Sequence, residues 1–386
     1  MKKIAVVTST RAEYGLLAPV IKQLRTHESS EFKVDLVVTG THLSEDYGYT
    51  VNEIKADNIR IDHEIVIPVQ SDSEYDISSN QADTLLKFTD LFIEQRYDAL
   101  IILGDRYEML AIAIAAGNTN TPIFHLCGGD TTEGAKDEWI RHSITKMSYL
   151  HFVTNEISRK RVIQLGEDPA RVFNYGSTSI DNILKITTSK KEALDSIYLD
   201  DCEYALCTYH PVTLENESVE EHINEFLDVI NAFPNLQFIV TKSNADQGGA
   251  QINTLLDNAA QTIPNLHVYS SLGVKRYLAL MKHCEFVLGN SSSGIIEAPA
   301  LHVPTVNIGD RQKGRLQAIS IINCEKKAED IIQAILKAQD YDHKKLCKDN
   351  ISLYGDGHSG ERIANEILHV LESNSINLKK EFYDIK

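Results

Sequence analysis

Three adjacent serines and a glycine, Ser291-Ser-Ser-Gly294, follow the apolar run Phe286-Val-Leu-Gly-Asn290 and precede Ile295-Ile-Glu-Ala-Pro299. The pattern reads as a short strand, a loop of small polar residues and the start of a helix. Uncovered backbone N–H groups at a helix N-terminus, together with the helix dipole, suit a phosphate or diphosphate. Ser291, Ser292, Ser293 and Gly294 are therefore candidate anion contacts. Glu297, about one turn into the helix, is placed to reach ribose hydroxyls. An ordinary capped helix needs the same residues, since serine is a favoured N-cap.

Carboxylates cluster in the first half of the chain. Gly104-Asp105-Arg106 directly follows a buried-strand pattern, where a carboxylate suits proton transfer or sugar hydroxyl binding. Capping of the next helix by Asp105 is the plainer alternative, although Arg106 beside it would be redundant for a cap. His125, Cys127, Asp130, Glu133, Asp137 and Glu138 crowd one loop, and Gly128-Gly129 there lets a ligand approach the backbone. This set resembles acid/base equipment, whereas Asp137 and Glu138 would also complement a helix dipole. His210, before Pro211, could protonate or polarise a leaving phosphate, or be satisfied by loop carbonyls. Arg11, Arg106, Lys242, Asn244 and Arg311, with Lys313 and Arg315, could supply the donors and positive charge that a diphosphate needs.

Some chemistries are disfavoured. Neither a Walker A loop nor a GxGxxG sequence follows the first strand, so ATP and dinucleotide sites of those types are not expected. The His, Cys and Asp spacing matches no structural zinc pattern, and neither a metal nor a cofactor is expected. The formal net charge of −17 argues against general binding to nucleic acid or anionic membrane. Nothing in the 386 residues approaches a membrane span, and the N-terminal apolar run is too short for a signal segment. The six cysteines show no CxxC pair, which fits free thiols in a reducing cytoplasm.

Positioning these groups requires a regular frame. Apolar runs at 2–8, 33–39, 98–103, 122–126 and 149–154 alternate with helical patterns, as in βα units with a parallel sheet covered on both faces. The alternation lapses near 175–190 and restarts with runs at 204–209, 237–241, 266–269, 285–288 and 304–308. The fold class expected is α/β, with two doubly wound Rossmann-like domains facing a cleft. The domains are 1–178, carrying the acid/base residues, and 179–365, binding the nucleotide. A C-terminal helix end and tail, 366–386, is expected to pack back on the first. Polar residues recur after strand ends, where open α/β sheets bind ligands.

Taken together, six motifs in order resemble one family. They are Ser9-Thr-Arg-Ala-Glu-Tyr-Gly15, Leu103-Gly-Asp-Arg-Tyr-Glu108, Gly128-Gly-Asp-Thr-Thr-Glu-Gly134, Ile140-Arg-His-Ser-Ile-Thr-Lys-Met-Ser148, Gly289-Asn-Ser-Ser-Ser-Gly294 and Asn307-Ile-Gly-Asp-Arg-Gln-Lys-Gly-Arg315. The set is similar to the bacterial hydrolysing UDP-N-acetylglucosamine 2-epimerases of sialic acid synthesis and their legionaminic-acid relatives. The resemblance implies a glycosyltransferase-B-like fold and conversion of a UDP-2-acetamido sugar to UDP and the free manno sugar through a glycal. It also implies a cytoplasmic enzyme that needs no nicotinamide and works as a homo-oligomer, dimer or tetramer. By motif position, Asp105 and Asp137 resemble the acid/base carboxylates, and His210 the group near the departing diphosphate. Arg11, Ser291, Ser292 and Arg311 resemble UDP contacts, and Glu297 the ribose contact. Where sialic-acid members often read His-Gly-Gly-Glu, this chain reads Cys127-Gly-Gly-Asp130. Asp130 keeps a carboxylate there and joins the catalytic set, while a Cys127 thiol poorly replaces an imidazole base. Rival readings are a UDP-sugar glycosyltransferase, a non-catalytic nucleotide-sugar sensor and a non-hydrolysing epimerase.

Overall fold

The structure, a computed structural model, describes residues 1–70, 73–132, 136–211, 219–243 and 248–385. Asn244 and Glu133 lie outside the described residues. The chain divides into two units, the first comprising Met1–Asp130, Asp137–Asp181 and Tyr354–Lys386, and the second Thr131–Lys136 and Asn182–Leu353.

The first unit is built on seven parallel strands: β1 (Lys2–Thr8), β2 (Phe32–Thr39), β3 (His63–Ile65), β4 (Ala99–Leu103), β5 (Ile123–Leu126), β6 (Leu150–Val153) and β7 (Val172–Asn174). Their order across the sheet is β3-β2-β1-β4-β5-β6-β7. Strands of this kind are apolar on both faces because helices cover both. Thus Ile4 and Val6 of β1 join a core that includes Ile363, Ala364 and Ile367 of the helix Ser359–Glu372. Ala5 and Val7, on the alternate positions, join Phe88 and Phe92 of the helix Glu74–Gln95 and Ile112 of the helix Tyr107–Asn118. Each fully buried Val, Ile or Phe side chain among these contributes roughly 1.5–3 kcal/mol.

The second unit has six parallel strands: β8 (Tyr204–Thr208), β9 (Gln237–Thr241), β10 (Leu266–Tyr269), β11 (Phe286–Gly289), β12 (Thr305–Ile308) and β13 (Ile321–Cys324), ordered β10-β9-β8-β11-β12-β13. Alternation again sends Ala205 and Cys207 to one core and Tyr204 and Leu206 to the other. In both units the strand order reverses once, between β1 and β4 and between β8 and β11. At such a reversal the two exit loops diverge and leave a crevice at the carboxyl ends of the strands.

The chain returns to the first unit at Tyr354, earlier than the boundary at 365 read from sequence. Asp181 holds this return in place, accepting from the Ser359 N–H at 3.0 Å and the Gly360 N–H at 2.7 Å. A carboxylate from far away in sequence thus caps the last helix, which begins at Ser359 with His358 as N-cap. Beyond that helix the tail stays on the first unit, where Lys380 Nζ donates to Glu167 and to the carbonyls of Lys146 and Ser148. Among the described residues no helix is long and apolar enough to cross a membrane.

Candidate active site

In the first unit the loops leaving β1 and β4 lie at the reversal of strand order. Asp105 follows β4, and its carboxylate is taken by Arg141 of the helix Asp137–Met147. Asp105 does not cap the next helix, whose N-cap is Arg106 with no side-chain cap bond. Arg141 is 2% exposed and also donates to the Asp130 carbonyl at 2.7 Å and to Glu138 Oε2 at 3.1 Å. Burial works against its charge, but Asp105, Asp130 and Glu138 outweigh it and raise the guanidinium pKa. One buried cation therefore gathers three acidic residues from two strand ends and a helix start. Asp137, the first residue of that helix, is only partly buried.

Asp130 faces inward. Its Oδ1 accepts from Thr154, Asn155 and Ser158, around the start of the helix Glu156–Gln164. Gly128 and Gly129 answer to that packing rather than to an approaching ligand. A Cβ on Gly129, whose φ is +80°, would stand 2.3 Å from the Ser158 carbonyl oxygen. One on Gly128 would stand 2.8 Å from Thr145 Oγ1. His125 leaves the acid/base group altogether. It is fully buried inside β5, with Nε2 2.8 Å from the Gly104 carbonyl and Nδ1 3.2 Å from Thr145 Oγ1. Burial pushes its pKa down to about 4, so it is neutral and structural.

Arg11 begins the helix Arg11–Thr26, directly after the cap formed by Thr10 and Glu13. Arg106 Nε donates to Glu108 Oε1 at 3.2 Å. Ser9 links two buried carboxyl groups, its Oγ lying 3.0 Å from Glu13 Oε2 and 2.7 Å from Glu108 Oε1. Burial, and then the nearby Glu108 charge, push the Glu13 pKa up to about 8.

In the second unit the loops leaving β8 and β11 lie at the corresponding reversal. Gly289 pairs with Thr208, and its φ of +135° and a 2.0 Å approach of a would-be Cβ to the Thr208 carbonyl exclude any side chain. The tight exit leads to Ser291, the N-cap of the helix Ser292–Ala300, whose Oγ accepts from the Ser293 N–H. Ser291, Ser292 and Ser293 are partly exposed at this N-terminus, and Gly294 is buried beneath them. Glu297 lies on the same helix. His210 is 7% exposed, with Nδ1 3.2 Å from Ser243 Oγ. Arg311 reaches the same turn, donating from Nη1 to the Asn290 carbonyl at 3.2 Å. Lys242 donates to Asp257 at 2.6 Å.

Three further groups take their place at the sites only through the fold. Arg141 belongs to the motif Ile140–Ser148, but only the fold reveals the carboxylates it gathers. Tyr277 hydrogen-bonds Ser293, and burial pushes its phenol up to about 12. Asn290 lies between the serine turn and His210, its side-chain amide bonded to the His210 backbone. Among the described residues no group of three His, Cys, Asp or Glu side chains could hold a metal.

Chemically, the first unit offers carboxylates held for proton transfer or hydroxyl binding. The second offers a helix N-terminus rich in hydroxyls, with a histidine and an arginine, suited to an anion.

The sequence model described as UDP-N-acetylglucosamine 2-epimerase matches residues 24–368. Polysialic acid biosynthesis protein P7 of Escherichia coli is 38% identical over 387 residues, covering 100% of this chain and 98% of that protein. The GDP/UDP-N,N'-diacetylbacillosamine 2-epimerase (hydrolyzing) of Campylobacter jejuni is 39% identical over 350 residues, covering 89% of each. The crystal structure of the UDP-GlcNAc 2-epimerase from Neisseria meningitidis bound to UDP-GlcNAc shares the fold. Its TM-score is 0.80 at 21% identity, covering 96% of this chain and 100% of that one. A match of this length, with relatives this similar along nearly all of the chain, means that it belongs to the UDP-N-acetylglucosamine 2-epimerase family.

Proposed function

We propose that the chain is a hydrolysing 2-epimerase that converts UDP-GlcNAc to UDP and free N-acetylmannosamine. The observation that carries the reading is the Arg141-centred set of Asp105 after β4, Asp130 after β5 and Glu138 at the start of the helix Asp137–Met147. Family membership and a relative named as hydrolyzing support it. A carboxylate, Asp105 or Asp137, takes the proton from C2 of the sugar. The C2–H electron pair forms the C1=C2 bond of a glycal, and the C1–O bond breaks with its electrons leaving on UDP. Water then adds its oxygen to C1 and a proton enters C2 from the other face, giving the manno configuration. Donors of the serine turn and Arg311 offset the charge growing on the departing diphosphate, and His210 protonates or polarises it. Arg11, Arg106 and Lys242 are further UDP contacts in this reading, and Glu297 binds the ribose. The enzyme works as a cytoplasmic homo-oligomer in this reading.

A UDP-2,4-diacetamido-trideoxy sugar is the second substrate reading, favoured by the named substrate of the Campylobacter jejuni relative. Incubation with each nucleotide sugar alone, without an acceptor, separates these readings by mass spectrometry of the products. Free N-acetylmannosamine with UDP supports the first, and release of the diacetamido manno sugar supports the second. If neither nucleotide sugar is consumed, the hydrolytic reading fails.

A further inference from the structure

Asn290 sits between the end of β11 and the serine turn and is 1% exposed. Its side-chain amide faces the backbone of residue 210. The His210 N–H donates to Asn290 Oδ1 at 2.7 Å, and Asn290 Nδ2 donates to the His210 carbonyl at 2.8 Å. Two opposed bonds on either side of one residue set both its place and its rotation, which one bond would not. The Asn290 N–H donates to the Thr208 carbonyl at the end of β8 at 3.2 Å, whereas its carbonyl serves a different loop, accepting from Arg311 Nη1 at 3.2 Å and Gln312 Nε2 at 2.8 Å. Side chain and carbonyl of one residue thus hold the exits of β8 and β12 separately.

We infer that Asn290 is a positioning residue for His210. Its amide keeps the imidazole where turnover needs it, while the grip on the nucleotide depends on the serine turn and on the main chain of residue 290. This role rests on the reading of His210 given above. The geometry asks for asparagine in particular. Aspartate keeps the acceptor but offers no N–H to the His210 carbonyl, glutamine carries the amide one methylene further out, and alanine supplies neither group.

The test compares kcat and the Kd for UDP of Asn290→Ala, Asn290→Asp, His210→Ala and the double variant Asn290→Ala/His210→Ala. Asn290→Ala is expected to lower kcat on the order of 10²-fold, as a small misplacement of a reacting group does. Its Kd for UDP stays within about threefold of wild type, because Arg311 and Gln312 keep their carbonyl. Asn290→Asp, which retains one of the two bonds, falls between. Added to His210→Ala, Asn290→Ala changes kcat by less than about threefold, since groups acting as one unit are not additive. Losses that multiply in the double variant, or a UDP affinity that falls in step with kcat, would overturn the positioning role. A His210→Ala variant with wild-type kcat would remove the role of His210 and the positioning role with it. An impaired His210→Ala beside an unimpaired Asn290→Ala would remove the positioning role alone. Should Asn290→Ala not fold, Asn290→Asp decides by the same split between kcat and Kd.

Discussion

Replacing Glu13 by glutamine should abolish a pH-dependent cost to stability in the first unit. Glu13 is 4% exposed, and its Oε1 finds no partner among the described residues. Its Oε2 accepts from the N–H groups of Ser9 at 2.7 Å and Thr10 at 3.2 Å, bonds that a glutamine carbonyl can keep. With its pKa raised from 4.5 to about 8, the folded chain holds this proton after the unfolded chain has lost it. As pH climbs through that window the unfolded state binds fewer protons, so wild-type stability falls, by up to about 1.4 kcal/mol per pH unit. Glutamine has no proton to lose. The stability advantage of Glu13→Gln over wild type should therefore grow by on the order of 3 kcal/mol between pH 5 and pH 8. Urea unfolding followed by the single tryptophan, Trp139, reads this directly, because that residue belongs to the first unit. A gap between variant and wild type that is the same at both pH values would refute a protonated Glu13.

Other outcomes follow from the two sites. Asp105→Asn should leave the Kd for UDP near wild type and lower kcat by on the order of 10²-fold or more, as loss of a general acid/base does; equal losses in both would refute the assignment. Ser291→Ala with Ser292→Ala should weaken UDP binding by about 1–3 kcal/mol, the worth of two hydrogen bonds, measured by calorimetry. Gly129→Ala should destabilise the first unit by about 3 kcal/mol or more, since the new Cβ meets the Ser158 carbonyl at 2.3 Å. A melting temperature equal to wild type would count against that packing account.

Much of the frame is legible in the sequence because buried parallel strands are continuous apolar runs. β1 falls on Lys2–Thr8 as read, and most other expected strands lie within a residue or two of their places. The short edge strands β3, β7 and β13 escape, since three or four half-buried residues carry no comparable signal. The positions of chemistry-bearing residues after strand ends are equally readable, as Asp105 and the serine turn illustrate. Their partners are not. Asp105 meets Arg141, 36 residues on, and His210 meets Asn290, 80 residues on, through contacts that only the sheet order creates. His125 misleads for the same reason, because its type suggests proton transfer while its place inside β5 removes it from solvent. Likewise, the glycine pair beside it reads as room for a ligand but is filled by Ser158 and Thr145.

The most direct test of the central claim is turnover of UDP-GlcNAc in deuterium oxide, with the products resolved by mass spectrometry and NMR. Proton removal at C2 followed by hydration of a glycal predicts free N-acetylmannosamine carrying one deuterium at C2, formed together with UDP. Free sugar with no deuterium at C2, or an epimer still attached to UDP, would contradict it.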